Sequence, residues 1–179
     1  MMNGPTSPAI WRMPQSALRS SMAEMARDGA RDCEGIALWL GRRHENVAEI
    51  THVVGLRGPG VHRRPDYLSI TPELLNDVTD AAIELGVFLV GQIHSHPPGA
   101  GVGLSPLDQR FGIRAQGYLS AVAPNFAARL DTPTSACGFH LFEGGTWRRF
   151  GPEECVRRVE VFDDVPSTPL IIIGGDHDQ

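Results

Sequence analysis

The sequence predicts a mixed α/β domain, and three observations carry that prediction. Apolar runs of strand length recur at residues 47–56, 87–93, 118–123 and 137–142. Stretches with helical spacing alternate with them, at residues 15–31 and 71–85. A chain of 179 residues with 41% hydrophobic content suits one domain with a real core rather than a stapled miniprotein. No internal repeat interrupts this pattern.

Taken in order, residues 1–14 hold three prolines and a glycine and read as a loose leader. Ala17, Leu18, Met22, Met25 and Ala26 then recur at helical spacing, and Gly29 ends or frays that helix. Glu34 opens an apolar strand that runs on to Gly41. Residues 47–56 alternate as a further strand, and Gly58-Pro59-Gly60 marks a turn. Thr71-Pro72-Glu73 starts a second helix, which Gly86 stops. The apolar run 87–93 is a buried strand that ends on His94 and His96. Pro97-Pro98-Gly99-Ala100-Gly101 forces an irregular loop, since neither residue type continues a strand easily. Ser105-Pro106-Leu107-Asp108 begins a helix, with Ser105 as N-cap, Pro106 first and Asp108 near the third position. Two strands follow, and Glu143-Gly144-Gly145-Thr146 turns the second into residues 147–150. The Pro169-to-Gly175 run reads as an edge-pairing or partner-binding strand.

Composition narrows the function classes. A formal net charge of -5 argues against a nucleic-acid binder. Three cysteines, Cys33, Cys137 and Cys155, are odd in number and widely spaced, which argues against a disulfide framework and for a reducing cytoplasm. Cys33 is expected as a small core residue. No apolar stretch reaches transmembrane length, and the N-terminus lacks a signal-peptide core, so no membrane role is expected. All 16 basic residues are arginine, for which genome base composition is the simplest account.

The chemistry gathers at His94-Ser95-His96-Pro97. Alternate residues of a strand share a face, so His94 and His96 project together and Ser95 turns away. The strand end and the helix start can bring two imidazoles and the Asp108 carboxylate to one point. A structural zinc normally takes four protein ligands, whereas a catalytic zinc takes about three and leaves a position open. Such a site also needs a proton shuttle that is not a ligand, and Glu34 is the best candidate; Asp32 and Glu24 are nearby alternatives. Two other segments, residues 57–67 and 125–136, lie between core elements as specificity loops or plain solvated ones. His62 in the first is a candidate to approach the metal.

At these residues the chain resembles the JAMM family of zinc metalloproteases, also called JAB or MPN+. The family pattern is Glu, a variable spacer, His-Ser/Thr-His-Pro, seven residues, Ser, two residues and Asp. Glu34, His94, Ser95, His96, Pro97, Ser105 and Asp108 meet each defined position. Ala37 stands where the Glu strand of the family tends to have its first glycine. The resemblance implies a JAB/MPN-like domain at residues 15–150, with a curved mixed sheet flanked by two or three helices and a C-terminal extension at 151–179. It implies one zinc per chain, held by His94, His96 and Asp108. Glu34 would take a proton from the attacking water and pass it to the leaving amine, and Ser105 would hydrogen-bond the oxyanion. The implied activity is an isopeptidase that cuts after the C-terminal glycine of a ubiquitin-like protein. Its partners would be such conjugates and E1/E2-like enzymes of a compact bacterial conjugation system. A peptidase that frees a sulfur-carrier protein from an amino-acid adduct, and a non-catalytic MPN scaffold, are the alternatives.

Overall fold

Two apolar clusters lie on opposite faces of one curled sheet, and each is closed by a helix. The computed structural model describes residues 7–175. Along the chain run β1 (Ile10–Pro14), α1 (Gln15–Gly29), β2 (Ile36–His44), β3 (Val47–Leu56), β4 (Val61–Arg64) and β5 (Tyr67–Ile70). Then come α2 (Pro72–Leu85), β6 (Phe88–Ser95), α3 (Pro106–Phe111), β7 (Tyr118–Ala123), β8 (Gly138–Glu143) and β9 (Thr146–Arg149). The last elements are α4 (Pro152–Arg158), β10 (Val159–Phe162) and β11 (Leu170–Ile173). The main sheet has the order β10-β1-β3-β2-β6-β7-β8-β9, with β11 also on β3, while β4 and β5 form a separate hairpin. The result is the expected mixed α/β domain with a curved mixed sheet; four α-helices flank it among the described residues.

The sheet curls where β2 slips register against both neighbours, at Leu40/Gly41 against β3 and at Trp39/Leu40 against β6. Gly41 sits at that step because a Cβ there would lie 2.2 Å from the Glu49 carbonyl oxygen. On one face Trp11, Met22, Met25, Trp39 and Phe139 pack with α1. On the other Leu38, Val54, Leu74 and Val78 pack with α2. Burying both faces explains why β6 and β7 read as near-continuous apolar runs rather than alternating ones.

Each helix stands where its signals put it. Thr71 caps α2 by accepting from the Leu74 amide, and Gly86 ends it with φ +64°. Pro14 offers α1 no side-chain cap. Asp164, 148 residues on, accepts from the Ser16 amide at 3.0 Å and takes that role. α1 stops at Gly29, where the backbone passes so close to Phe126 that a Cβ would lie 2.5 Å from its carbonyl oxygen.

Four expectations are corrected. Part of the leader is structural: β1 lies between β10 and β3 with Trp11 and Met13 wholly buried. The prolines concealed it, although Pro14 is tolerated at the strand-to-helix junction. Residues 1–6 of the leader lie outside the described residues. The described part of the 151–179 extension, residues 151–175, does not stand apart, because β10 pairs with β1 and β11 with β3 in the main sheet. Its short strands follow a helix with no buried residue, so no long apolar pattern announced them. Cys33 is half-buried in the turn before β2 rather than a core residue. The 57–67 segment also proves to hold β4 and the turn into β5 rather than plain loop.

Candidate metal centre

β6 brings His94 to the rim of the sheet between two strands of opposite sense, β2 antiparallel and β7 parallel. His96 follows it, and the Ala123 carbonyl, at the end of β7, accepts the His96 amide at 2.9 Å. Ser95 turns to the other face as expected. Its hydroxyl accepts the Gly35 amide at 3.0 Å, and its own amide donates to the Gly35 carbonyl at 3.0 Å. This two-way clasp fixes the entry of β2, and with it Glu34, against the histidine strand. α3 starts with a capping box: the Ser105 hydroxyl accepts the Asp108 amide at 3.1 Å, and Asp108 Oδ2 accepts the Ser105 amide at 2.7 Å.

Three possible ligand atoms converge at this point. His94 Nε2 and His96 Nε2 lie 3.2 Å apart, and Asp108 Oδ2 is 3.5 Å from the first and 3.2 Å from the second. Tetrahedral zinc with nitrogen and oxygen ligands at its usual bond lengths spaces neighbouring ligand atoms by about 3.3 Å. The triangle therefore fits such an ion. The tautomer of His96 fits as well. Its Nδ1 lies 3.1 Å from the Gly101 carbonyl, which can only accept, so Nδ1 carries a hydrogen; the neutral ring therefore turns a lone pair inward at Nε2, and the protonated ring donates from Nε2 to Asp108. Two imidazole nitrogens and a carboxylate oxygen this close need a cation or a shared proton between them.

The electrostatics follow from that crowding. Burial opposes the ionised Asp108, but hydrogen bonds from both histidines and the Ser105 amide outweigh it and hold the carboxyl well below the usual range. Burial likewise opposes charged His96, yet its hydrogen bond to Asp108 and the charges of Asp108 and Glu34 leave its pKa raised. Glu34 is only 4% exposed. Burial, with Asp108 and Asp66 adding and His96 opposing, pushes its carboxyl up to about 7.

Of the residues read from the sequence, the structure brings His94, His96 and Asp108 into one group, with all three ligand atoms within 4.8 Å of one another. Glu34 stands outside that group but in its field. Ser105 forms the rim through its cap. The rival acids are placed elsewhere: Asp32 is exposed in the turn after α1, and Glu24 is ion-paired with Arg57. His62 is exposed on β4 and outside the group.

A polar row beside the centre went unread. The Tyr118 hydroxyl donates to Gln92 Oε1 at 3.2 Å, Gln92 Nε2 lies 3.4 Å from the Ser120 hydroxyl, and His140 Nδ1 donates to the Ser120 carbonyl at 3.3 Å. Burial lowers the pKa of His140 to about 4, so its ring is neutral. The signal was present in Gln92-x-His94, since residues two apart on a strand share a face. A small cleft of about 80 Å³ adjoins His94 and Asp108, walled by Ile36, Leu68, Ile70 and Phe111. A larger cavity of about 490 Å³ lies against Phe139 and Cys155, on the face of β8 that alternation turns away from His140.

No family model matches the chain, and no curated protein does. The fold is similar to the solution structure of protein DSY2949 from Desulfitobacterium hafniense, with a TM-score of 0.63 and 16% identity. That match covers 88% of this chain and 96% of the other, and it shows a shared fold alone. No helix among the described residues is long and apolar enough to cross a membrane.

Proposed function

We propose that this protein is a zinc metallopeptidase of the JAMM type, an isopeptidase that cleaves the amide bond after the C-terminal glycine of a ubiquitin-like protein. The observation that carries this reading is the convergence of His94 Nε2, His96 Nε2 and Asp108 Oδ2 beside a buried, non-ligating glutamate. Zinc held by those three residues supplies a Lewis acid and a water of lowered pKa. Glu34, buried beside the group without belonging to it, is placed to take a proton from that water and return it to a leaving amine. The Ser105 oxygen accepts from the Asp108 amide, which leaves its O–H to donate to an oxyanion. The partners would be ubiquitin-like conjugates and the E1/E2-like enzymes that make them, in a bacterial cytoplasm.

The testing experiment pairs metal analysis with cleavage of a ubiquitin-like protein carrying an amide after its terminal glycine. About one zinc per chain, lost in Asp108→Ala together with cleavage, supports the reading. A folded wild-type chain that refuses added zinc would leave a binding scaffold as the better account.

A further inference from the structure

We propose, on the reading of Glu34 as the proton carrier, that the ion pair of Asp28 with Arg63 is the device that positions this glutamate, because it closes a ring of contacts through the glutamate's own backbone. Arg63 Nε lies 2.7 Å from Asp28 Oδ2. From Asp28 the ring passes along the turn after α1, where the Cys33 amide donates to the Asp28 carbonyl at 3.2 Å. The next residue is Glu34, whose amide donates to the Arg64 carbonyl at 3.0 Å. Arg64 follows Arg63 in β4, and the ring is complete.

The ring matters because β4 and β5 stand apart from the main sheet. A two-stranded hairpin alone is marginal in water, so its place depends on what its side chains hold. Arg63 holds two elements at once. Besides Asp28 near the end of α1, its Nη2 donates to the carbonyl of Leu56, the last residue of β3, at 2.8 Å. Asp28 also meets Arg31 at 2.7 Å, but the Arg31 side chain is 72% exposed against 15% for Arg63. Water screens the first pair far more than the second, so Arg63 is the stronger anchor.

The other supports of Glu34 do not replace this one. Gly35 lies so close to α1 that a Cβ would stand 2.6 Å from the Met25 Cα, and Ser95 clasps the same glycine from β6. Both act on the C-terminal side of the glutamate, whereas the ring acts on its N-terminal side, through its own amide. With one side alone fixed, rotation about the soft dihedrals of Cys33 and Glu34 would still swing the carboxylate. Across the hairpin Arg63 is paired with Leu68, a wall of the cleft beside His94 and Asp108. One ion pair therefore sets the glutamate and that wall in a single frame.

Amide exchange of the metal-free full chain, read residue by residue by NMR, tests this together with zinc content and kcat. Arg63→Gln and Asp28→Asn should each quicken exchange at the Glu34 amide at least ~10-fold, with the Gly35 amide and β6 protected as in the wild type. Neither residue belongs to the ligand group, so zinc content should hold while kcat falls on the order of 10²-fold. The double variant should lose no more than either single one, and Arg63→Lys, which keeps the charge, should recover much of both losses. Unchanged exchange at Glu34 in both variants overturns the proposal, as does a wild-type kcat with that protection lost. Exchange quickened evenly across the main sheet in the isosteric Asp28→Asn overturns it too, since the pair would then support the fold at large. A wild type that neither takes zinc nor cleaves strikes the proposed function, whereas the Glu34 amide, read without metal, still decides whether the pair holds that residue.

Discussion

One oxygen of Asp108 serves two masters: Oδ2 accepts the Ser105 amide at 2.7 Å and lies 3.2 Å from His96 Nε2. The helix cap and the candidate ligand are thus one atom, so the start of α3 is positioned by the same group that faces the histidines. Substitutions can separate the two roles. Asp108→Asn keeps an acceptor for the cap and removes the charge, so zinc affinity should fall, and metal-free stability at neutral pH should fall by the histidine–carboxylate pairing alone. Asp108→Ala should lose the cap as well, with about 1 kcal/mol more of metal-free stability gone. Isothermal titration with zinc and urea unfolding of the metal-free chain read the two effects.

Ser105→Ala should leave zinc stoichiometry intact, because the hydroxyl is no part of the converging group. It removes the acceptor for the Asp108 amide and the donor toward an oxyanion, so turnover should drop roughly 10²-fold or more. Ser105→Thr should restore much of it. An alanine variant with wild-type kcat would remove Ser105 from the chemistry.

Glu34→Gln should retain zinc and lose cleavage by at least ~10²-fold. The same substitution carries a pH signature in the metal-free protein. The folded pKa of about 7 lies above the ordinary value of 4.5. The stability that burial of the protonated acid confers is therefore fully present below pH 4.5 and is lost as pH rises through 7. Glutamine cannot ionise, so Glu34→Gln should gain on the wild type between pH 5 and 8, by something on the order of 3 kcal/mol. Equal unfolding free energies for the pair at both pH values would contradict the buried placement.

Ser95→Ala tests the clasp between the histidine strand and the glutamate. It leaves the buried Gly35 amide without its acceptor, a loss of about 1–3 kcal/mol. It also frees the segment that carries Glu34, so kcat should fall while zinc content holds. Threonine at this position keeps the oxygen and should behave as wild type; stability unchanged in the alanine variant would refute the clasp.

Much of this architecture was legible because local signals agreed with the tertiary outcome. Thr71, Pro72 and Gly86 delimit α2 with the residue types its ends require, and Ser105-x-x-Asp108 encodes its capping box outright. The alternation of His94 and His96 was enough to put both on one face. What stayed hidden depends on distant partners. β1 is a five-residue strand with a proline at its end, recognisable only once β3 and β10 flank it. Glu34 was chosen by pattern, while its rivals are set aside by placements no spacing shows: Glu24 pairs with Arg57, and Asp32 is exposed in the turn after α1. The Gln92–Ser120–His140 row joins three strands, and single-strand periodicity cannot link them.

The parallel pairing of β1 with β10 bears on how the molecule is made. During synthesis every candidate ligand has left the ribosome once Asp108 emerges, yet Trp11 and Met13 wait for residues 159–162 before β1 gains its second neighbour. Contacts of such long sequence separation form late. A nascent chain therefore holds a full set of donor groups over an unfinished sheet, and it acquires its rigid frame only after residues 159–162 have emerged.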